Sequence, residues 1–314
     1  MVITLKELEM YSDFDELSND VLDLASEILP DKLIYLTSFS NKEQIILKLS
    51  TDDTSILLTE GMVINIDETV CNRIDFEKKK PLIYEDIREG TCPSDLKNLL
   101  EDVNIRSYLG LPISLLDGER FGTLCVAYHQ ESVFDKKSIV LLQKIARMFS
   151  YYLNLEHLAF KDPLTNLYNR RYLSKKFEDD YKNGGIIFLF DLDGFKKIND
   201  IYGHDVGDGV LKEVALILQE FVKTQNDSYA VRLGGDEFLI HFSATYSKAE
   251  ISKLAENILS YFRGRNTIYQ LSTSIGISTY PADSDTDLRT LIKNADNALY
   301  RAKEAGKNNY TIFE

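Results

Sequence analysis

Apolar and polar positions along this chain follow two rhythms, a helical one of three and four residues and a strand-like one of two. Leu17, Val21, Leu24, Ile28 and Leu29 recur at helical spacing until Pro30-Asp31, which predicts a helix ending there. Strands are predicted over 33–39 and 44–50, split by the turn Ser40-Asn41-Lys42, and over 110–114 and 120–129, either side of Asp117-Gly118. Asp-Gly between apolar runs is a strong hairpin signal, because a tight two-residue turn needs positive φ. No Gly or Pro interrupts 138–159, where Leu141, Ile145, Met148, Tyr152, Leu155 and Ala159 step alternately by four and three. Such a heptad seam has two readings: a coiled coil with a second chain, or an amphipathic helix packed on its own domain.

After Asp162-Pro163 the order becomes regular. Asn169 precedes a helix over 170–181 that Gly184-Gly185 ends; a strand over 186–191 and a long helix over 208–222 follow. Strands over 229–233 and 238–242 flank a Gly-Gly turn, then come a helix over 248–262, a strand over 269–279, a helix over 287–305 and a strand over 309–313. The centre of this half reads βαββαβ, the ferredoxin-like unit. The fold class is therefore α/β (α+β): a mixed α/β module over 17–155 after a tail or helix over 1–16, then a ferredoxin-like domain over 156–314 joined by the connecting helix.

Length agrees, since 314 residues at about 150 per domain give two. With 44% hydrophobic and 27% charged residues, 16 Gly and 6 Pro, disorder and collagen-like repeats are excluded. The net charge of −14 repels polyanions, so nucleic acid is not an expected partner, and an anionic substrate needs metal ions or a local cationic cluster. Three cysteines, Cys71, Cys92 and Cys125, form no CxxC and are odd in number, which fits a reducing cytoplasm. The densest apolar run, IIFLF at 186–190, suits a buried strand and is far short of the ~18 residues of a membrane helix. The acid-bearing start MVITLKELEMYSDFDEL is unlike a signal peptide.

Candidate chemistry sits at one edge of the second sheet. In a βαββαβ sheet the third strand runs antiparallel beside the first, so the hairpin before it meets the first strand's carboxyl end. That brings Asp191, Leu192 and Asp193 to the segment Gly234-Gly235-Asp236-Glu237. Each segment alone reads as turn and cap residues. Together their acids form a hard-oxygen cradle suited to Mg²⁺, because carboxylates packed without a cation repel one another. Gly234-Gly235 serves a turn with positive φ, a close nucleotide approach, or both. Lys196, Arg232, Lys303 and Lys307 are either solvated surface cations or phosphate ligands completing that site.

RLGGDEF at 232–238 resembles the signature of GGDEF-domain diguanylate cyclases. The resemblance extends from about Asp162 to the end through DPLTNLYNRR (162–171), DLDGFKKIND (191–200), YGHDVGD (202–208) and NADNALYRAKEAGKN (294–308). It implies condensation of two GTP, one on each subunit of a homodimer, into cyclic di-GMP and two pyrophosphates. Carried over by position, Asp191, Asp236 and the Leu192 carbonyl would hold Mg²⁺, with Mn²⁺ as a substitute. Asp236 or Glu237 would take the ribose hydroxyl proton, and Lys196, Arg232, Lys303 and Lys307 would neutralise phosphate, with Gly194 and Phe195 lending backbone N–H groups. Guanine recognition would fall to Asn199 and Asp208, with His204 nearby; a carboxylate accepts from guanine N1 and N2, whereas adenine N1 is itself an acceptor. Asp208 also reads as the N-cap of the following helix.

The RxxD inhibitory site of many family members is replaced by Gln225-Asn226-Asp227-Ser228, so no product inhibition is expected through it, and Lys307 stands where Arg is common. The first half, most clearly 107–146, resembles a GAF sensor domain, which implies a small-molecule ligand in some relatives and none in others. Cys71 or Cys92 would be a bilin anchor only in special cases, since a lone cysteine is more often simply buried. The alternative is a catalytically silent GGDEF module acting as a GTP-binding or protein-interaction switch; loss of an acid or glycine from the motif would favour it, and none is lost.

Overall fold

Two separate sets of apolar strands require two sheets, and the computed structural model has two. It describes residues 14–40, 42–50, 55–89, 92–115, 118–225, 228–265, 271–282 and 286–314, in units that divide between His157 and Leu158. The predicted turn residues Asn41 and Asp117, the pair Asn226-Asp227 and the start of the predicted strand at Tyr269 lie outside the described residues.

The first unit contains α1 (Phe14–Ile28), β1 (Leu33–Phe39), β2 (Glu43–Leu49), β3 (Val63–Asn65), β4 (Leu82–Tyr84), α2 (Ser94–Asp102), β5 (Ser107–Ser114), β6 (Arg120–Tyr128) and all but the last three residues of α3 (Lys136–Phe160). Its sheet order is β3-β2-β1-β6-β5-β4, so β1 and β6 are central and apolar on both faces. Phe14 of α1, Phe121 of β6 and Phe149 of α3 form a triangle of rings 6.0–6.4 Å apart, fastening both helices to one face.

Helix α3 buries Leu142, Ala146, Phe149 and Leu153, each one residue past a position of the predicted seam. The seam positions Leu141, Met148 and Leu155 stay 36%, 69% and 67% exposed. The stripe packed on its own domain and the heptad stripe are therefore different faces of one helix, and the two readings of the sequence are not exclusive.

The second unit contains β7 (Tyr168–Asn169), α4 (Arg170–Asp180), β8 (Gly185–Asp193), α5 (Phe195–Tyr202), α6 (His204–Lys223), β9 (Ser228–Gly234), β10 (Glu237–Phe242), α7 (Lys248–Arg265), β11 (Ser272–Tyr280), α8 (Leu288–Glu304) and β12 (Tyr310–Ile312). Sheet order is β12-β11-β8-β10-β9-β7, and the core β11-β8-β10-β9 is the ferredoxin-like arrangement, with β8 antiparallel to both neighbours. Because β8 is covered on both faces it reads as a continuous apolar run rather than an alternating one. Ile186, Phe188, Phe190 and Leu192 share a core with Phe238, Ile240 and Phe242 of β10 and the apolar stripes of α6 and α7.

Three local readings are corrected. Strand β8 runs on through Asp193, two residues past the predicted end at Asp191, so Leu192 and Asp193 are strand residues rather than loop residues. Helix α5 was not predicted: it is eight residues long, with Phe195 and Ile198 as its buried pair, and Gly194 (φ 82°) and Gly203 (φ 88°) bound it. Helix α6 begins at His204 after Gly203, four residues before the predicted start. Asp208 therefore lies in the second turn of α6 and is not its N-cap.

On the far face, α8 lies against β11 so closely that a Cβ on Gly276 would sit 2.0 Å from the Ala295 carbonyl oxygen and 2.4 Å from the Leu299 nitrogen. Helix backbone cannot step aside as a side chain can. Gly276→Val should destabilise the protein by at least ~1–3 kcal/mol in urea unfolding, the usual cost of overpacking. An unchanged midpoint would show that α8 is not held this tightly.

Candidate active site

Antiparallel pairing of β8 and β10 sets Glu237 directly opposite Asp191. The turn between β9 and β10 carries Gly234 (φ 147°) and Gly235 (φ 55°), both in conformations that favour glycine, and a Cβ at either would meet nothing within 4 Å. The turn is therefore shaped by glycine and leaves open space in front of its backbone. Asp236 follows, close enough to Asp191 to feel its charge.

Burial first, then the Asp191 charge, pushes the Asp236 carboxyl above its ordinary value of 3.8. Glu237 is likewise raised above 4.5, by burial and then by Asp191, Asp236 and Asp296. Lys303, in the last turn of α8, partly offsets this by holding Asp191 at 2.7 Å. A divalent cation is the natural counterweight to what remains.

Backbone alternation supplies a further oxygen. Thr273 of β11 donates its hydroxyl to the Asp191 carbonyl at 3.0 Å, so that carbonyl faces β11. Leu192, next along, then directs its carbonyl to the opposite edge, beyond the last β10 pair at Glu237. Among the described residues no group of three or more His, Cys, Asp or Glu side chains is set to hold a metal ion by itself. The residues that would hold a cation here are Asp191 and Asp236 with the Leu192 carbonyl, the remaining positions falling to oxygens of a bound ligand. That hard-oxygen set fits Mg²⁺.

Two residues do other work than expected. Asp193 does not join the cradle: it accepts from Ser272 and Ser274 hydroxyls, both at 2.8 Å, and from the Asn308 N–H at 3.1 Å. It thereby pins the left-handed turn Lys307-Asn308 (φ 65° and 48°) that follows α8. Arg232 is not a free phosphate ligand. Its Nη1 donates to Asp162 at 2.9 Å, and its Nε and Nη2 donate to the Gly235 carbonyl at 3.1 and 2.9 Å, fixing the glycine turn from behind. Asp162 is held below its ordinary 3.8, the Thr165 and Arg232 hydrogen bonds outweighing a burial effect that would raise it.

A second cluster lies on α5 and α6. A Cβ on Gly207 would stand 1.9 Å from Asn199 Oδ1 and 3.3 Å from the Phe195 ring, so the glycine leaves the Asn199 side chain its place between the two helices. Asn199 Oδ1 is buried without a partner. Such an acceptor awaits an N–H donor, and Asp208 is the next residue of α6 after Gly207. His204, Lys196 and Lys307 are exposed and without close contacts to the acidic turn among the interactions described. Asp296, Thr273, Ser272 and Ser274 were not singled out in the sequence; Asp296 lies in the segment 294–308, where its helical spacing to Lys303 was the available signal.

Comparison with known proteins places this site in a family. Residues 159–309 match the family described as "Diguanylate cyclase, GGDEF domain" and residues 12–150 match the GAF domain. These matches place a GGDEF domain over residues 159–309 and a GAF domain ahead of it over residues 12–150. It is 38% identical over 196 residues to the bifunctional diguanylate cyclase/cyclic di-GMP phosphodiesterase MucR of Pseudomonas aeruginosa, covering 59% of this chain and 27% of MucR. Diguanylate cyclase DgcP of Escherichia coli is 27% identical over 319 residues, covering 92% of this chain and 90% of DgcP. The coiled coil and GGDEF domain of DgcB from Caulobacter crescentus, solved in complex with c-di-GMP, superposes with a TM-score of 0.50 at 22% identity, over 56% of this chain and 97% of that one. The last shows shared fold. The chain spans 27–37% of the length of several curated relatives it matches.

The raised carboxyls fix a pH dependence. A carboxyl with a raised folded value binds its proton more readily in the folded chain, so the metal-free protein loses stability as pH rises from 3.8 and 4.5 through the raised values of Asp236 and Glu237. Mg²⁺ with a non-hydrolysable GTP analogue should raise the thermal midpoint at neutral pH and flatten this dependence, and Asp191→Asn should abolish that response. A wild-type midpoint indifferent to Mg²⁺ and the analogue together would contradict the cradle.

Proposed function

We propose that this chain is a diguanylate cyclase, condensing two GTP into cyclic di-GMP with release of two pyrophosphates in the cytoplasm. The observation that carries this reading is the register that faces Glu237 with Asp191 and brings Asp236 beside them, with Lys303 on Asp191. The name of DgcP, which aligns along nearly the whole chain, supports it.

In each joining step a ribose hydroxyl oxygen of one GTP bonds to the α-phosphorus of the other. The bond from that phosphorus to pyrophosphate breaks, and pyrophosphate leaves with the electron pair. Asp191, Asp236 and the Leu192 carbonyl would hold Mg²⁺, which when bound neutralises phosphate charge and acidifies the hydroxyl. Asp236 or Glu237 accepts the hydroxyl proton, their raised values bringing them nearer to the working pH of a base. Lys303 neutralises charge beside the triphosphate, and Lys196 and Lys307, both exposed, extend that role to its outer oxygens. The open turn at Gly234-Gly235 and the N–H groups of Gly194 and Phe195 let the nucleotide lie against backbone. Asn199 Oδ1 takes a guanine N–H, and the Asp208 carboxylate takes a second, with His204 close in sequence. Arg232 acts by positioning the turn.

One domain holds one GTP, so a second copy must present the other. The exposed heptad stripe of α3, Leu141, Met148 and Leu155, suits a paired helix, and apposition of two loaded domains supplies the proximity term. A ligand of the GAF domain regulates by binding the competent arrangement more tightly than the idle one.

Purified protein incubated with GTP and Mg²⁺ should yield a product with the mass of cyclic di-GMP, with Asp236→Asn slowing turnover by about 10²-fold or more. Asp208→Ser should weaken discrimination between GTP and ATP. GTP binding without turnover would instead support the silent-switch alternative.

A further inference from the structure

Outside the acidic turn, two buried thiols meet in the first unit. Cys71 opens a one-turn helix, Cys71–Arg73, and Cys125 lies on β6, 54 positions away, yet their Sγ atoms are 3.6 Å apart. Their exposures are 3% and 0%, and both are unbridged. A purely structural cysteine packs against carbon. Here polar groups converge instead. The Tyr108 hydroxyl lies 3.1 Å from Cys71 Sγ and 3.2 Å from Cys125 Sγ; Gln44 Nε2 donates to Cys71 at 3.3 Å, and Thr123 Oγ1 lies 3.0 Å from Cys125. Gln44 Oε1 is buried without a partner. Gly110, cross-strand from Cys125, makes this possible, since a Cβ there would stand 2.4 Å from the Tyr108 hydroxyl.

The geometry points to a dithiol modification site: Cys71 and Cys125 form a reversible intrachain disulfide when a small hydroperoxide oxidises them. The Cys71 thiolate attacks one peroxide oxygen, the O–O bond breaks, and the other oxygen leaves as hydroxide, giving a sulfenic acid. The Cys125 sulfur then attacks the Cys71 sulfur; the S–O bond breaks and the hydroxyl leaves as water, taking the Cys125 proton. Two thiols and one hydrogen peroxide become one disulfide and two waters. To bond, the two sulfurs must close from 3.6 Å to about 2 Å.

Hydrogen-bonding groups on both sulfurs serve the first step. Burial by itself raises the Cys71 thiol, but the bonds from Cys125, Thr123, Tyr108 and Gln44 outweigh it and bring Cys71 down to about 7. Burial pushes Cys125 up, which keeps a proton on the resolving sulfur. The same burial selects the oxidant: a peroxide little larger than water enters by local opening, whereas a bulky disulfide such as oxidised glutathione does not. The bond would tie the Cys71–Arg73 turn to the central strand of the sensor sheet. It does not depend on the cyclase reading.

The test uses the full chain carrying Cys92→Ser, treated with hydrogen peroxide, quenched, unfolded and alkylated. Both remaining thiols should escape alkylation, the intact mass should fall by two hydrogens, peptide mapping should join Cys71 to Cys125, and dithiothreitol should restore both. Cys125→Ala in the same background should stop at a sulfenic acid on Cys71, trapped by dimedone. Should that variant fail to fold, the two-hydrogen loss in the parent decides alone. Two alkylated thiols after peroxide, oxidation without a cross-link, or cross-links only between copies would each overturn the proposal.

Discussion

The second domain is organised around a repulsion that it does not relieve by itself. Pairing β8 with β10 forces Glu237 opposite Asp191 and draws Asp236 alongside, and burial makes the charged forms of Asp236 and Glu237 still less favourable. Lys303, on a helix packed onto β11, is the protein's own partial answer: it pairs directly with Asp191, and its charge offsets only part of what raises Asp236 and Glu237. The remaining unfavourable charge is a standing demand for cations, which on the proposed cyclase reading a metal-bound nucleotide would meet. Fold stability is thereby set against binding: the site holds apart from its ligand a free energy that the ligand releases.

Much of the surrounding structure keeps that arrangement in register. Gly276 lets α8 descend until Lys303 meets Asp191. Asp193 ties β8 to β11 and to the turn after α8, and Arg232 ties the glycine turn to Asp162. On the proposed cyclase reading these contacts would set polar groups in place before the substrate's charge arrives, which is the preorganisation that phosphoryl transfer requires.

What could be read from the chain follows from how local each signal is. The apolar run of β8 and the glycine turn are short-range patterns, and the topology they imply brought the acidic segments together correctly. Helix α5 was missed because eight residues bounded by glycines hold only two buried positions, too few for a period. Asp208 looked like an N-cap because Gly203, which bounds the true start of α6, carries no side-chain signal. Arg232 and Asp193 are ambiguous in any sequence: whether a charge faces substrate or braces a turn depends on partners 70 and 115 positions away. On α3 the heptad stripe and the buried stripe differ by one residue, and only packing separates them. The meeting of Cys71 and Cys125 belongs to the same class of long-range fact.

The most direct measurement is anomalous scattering from Mn²⁺ in crystals of the protein with a non-hydrolysable GTP analogue. The account requires a manganese peak ligated by the Asp191 and Asp236 carboxylates and the Leu192 carbonyl, with the triphosphate along the Gly234-Gly235 turn and Asn199 and Asp208 on the guanine edge. A nucleotide bound elsewhere, or manganese that leaves Asp191 on Lys303 and Asp236 without a metal, would contradict it.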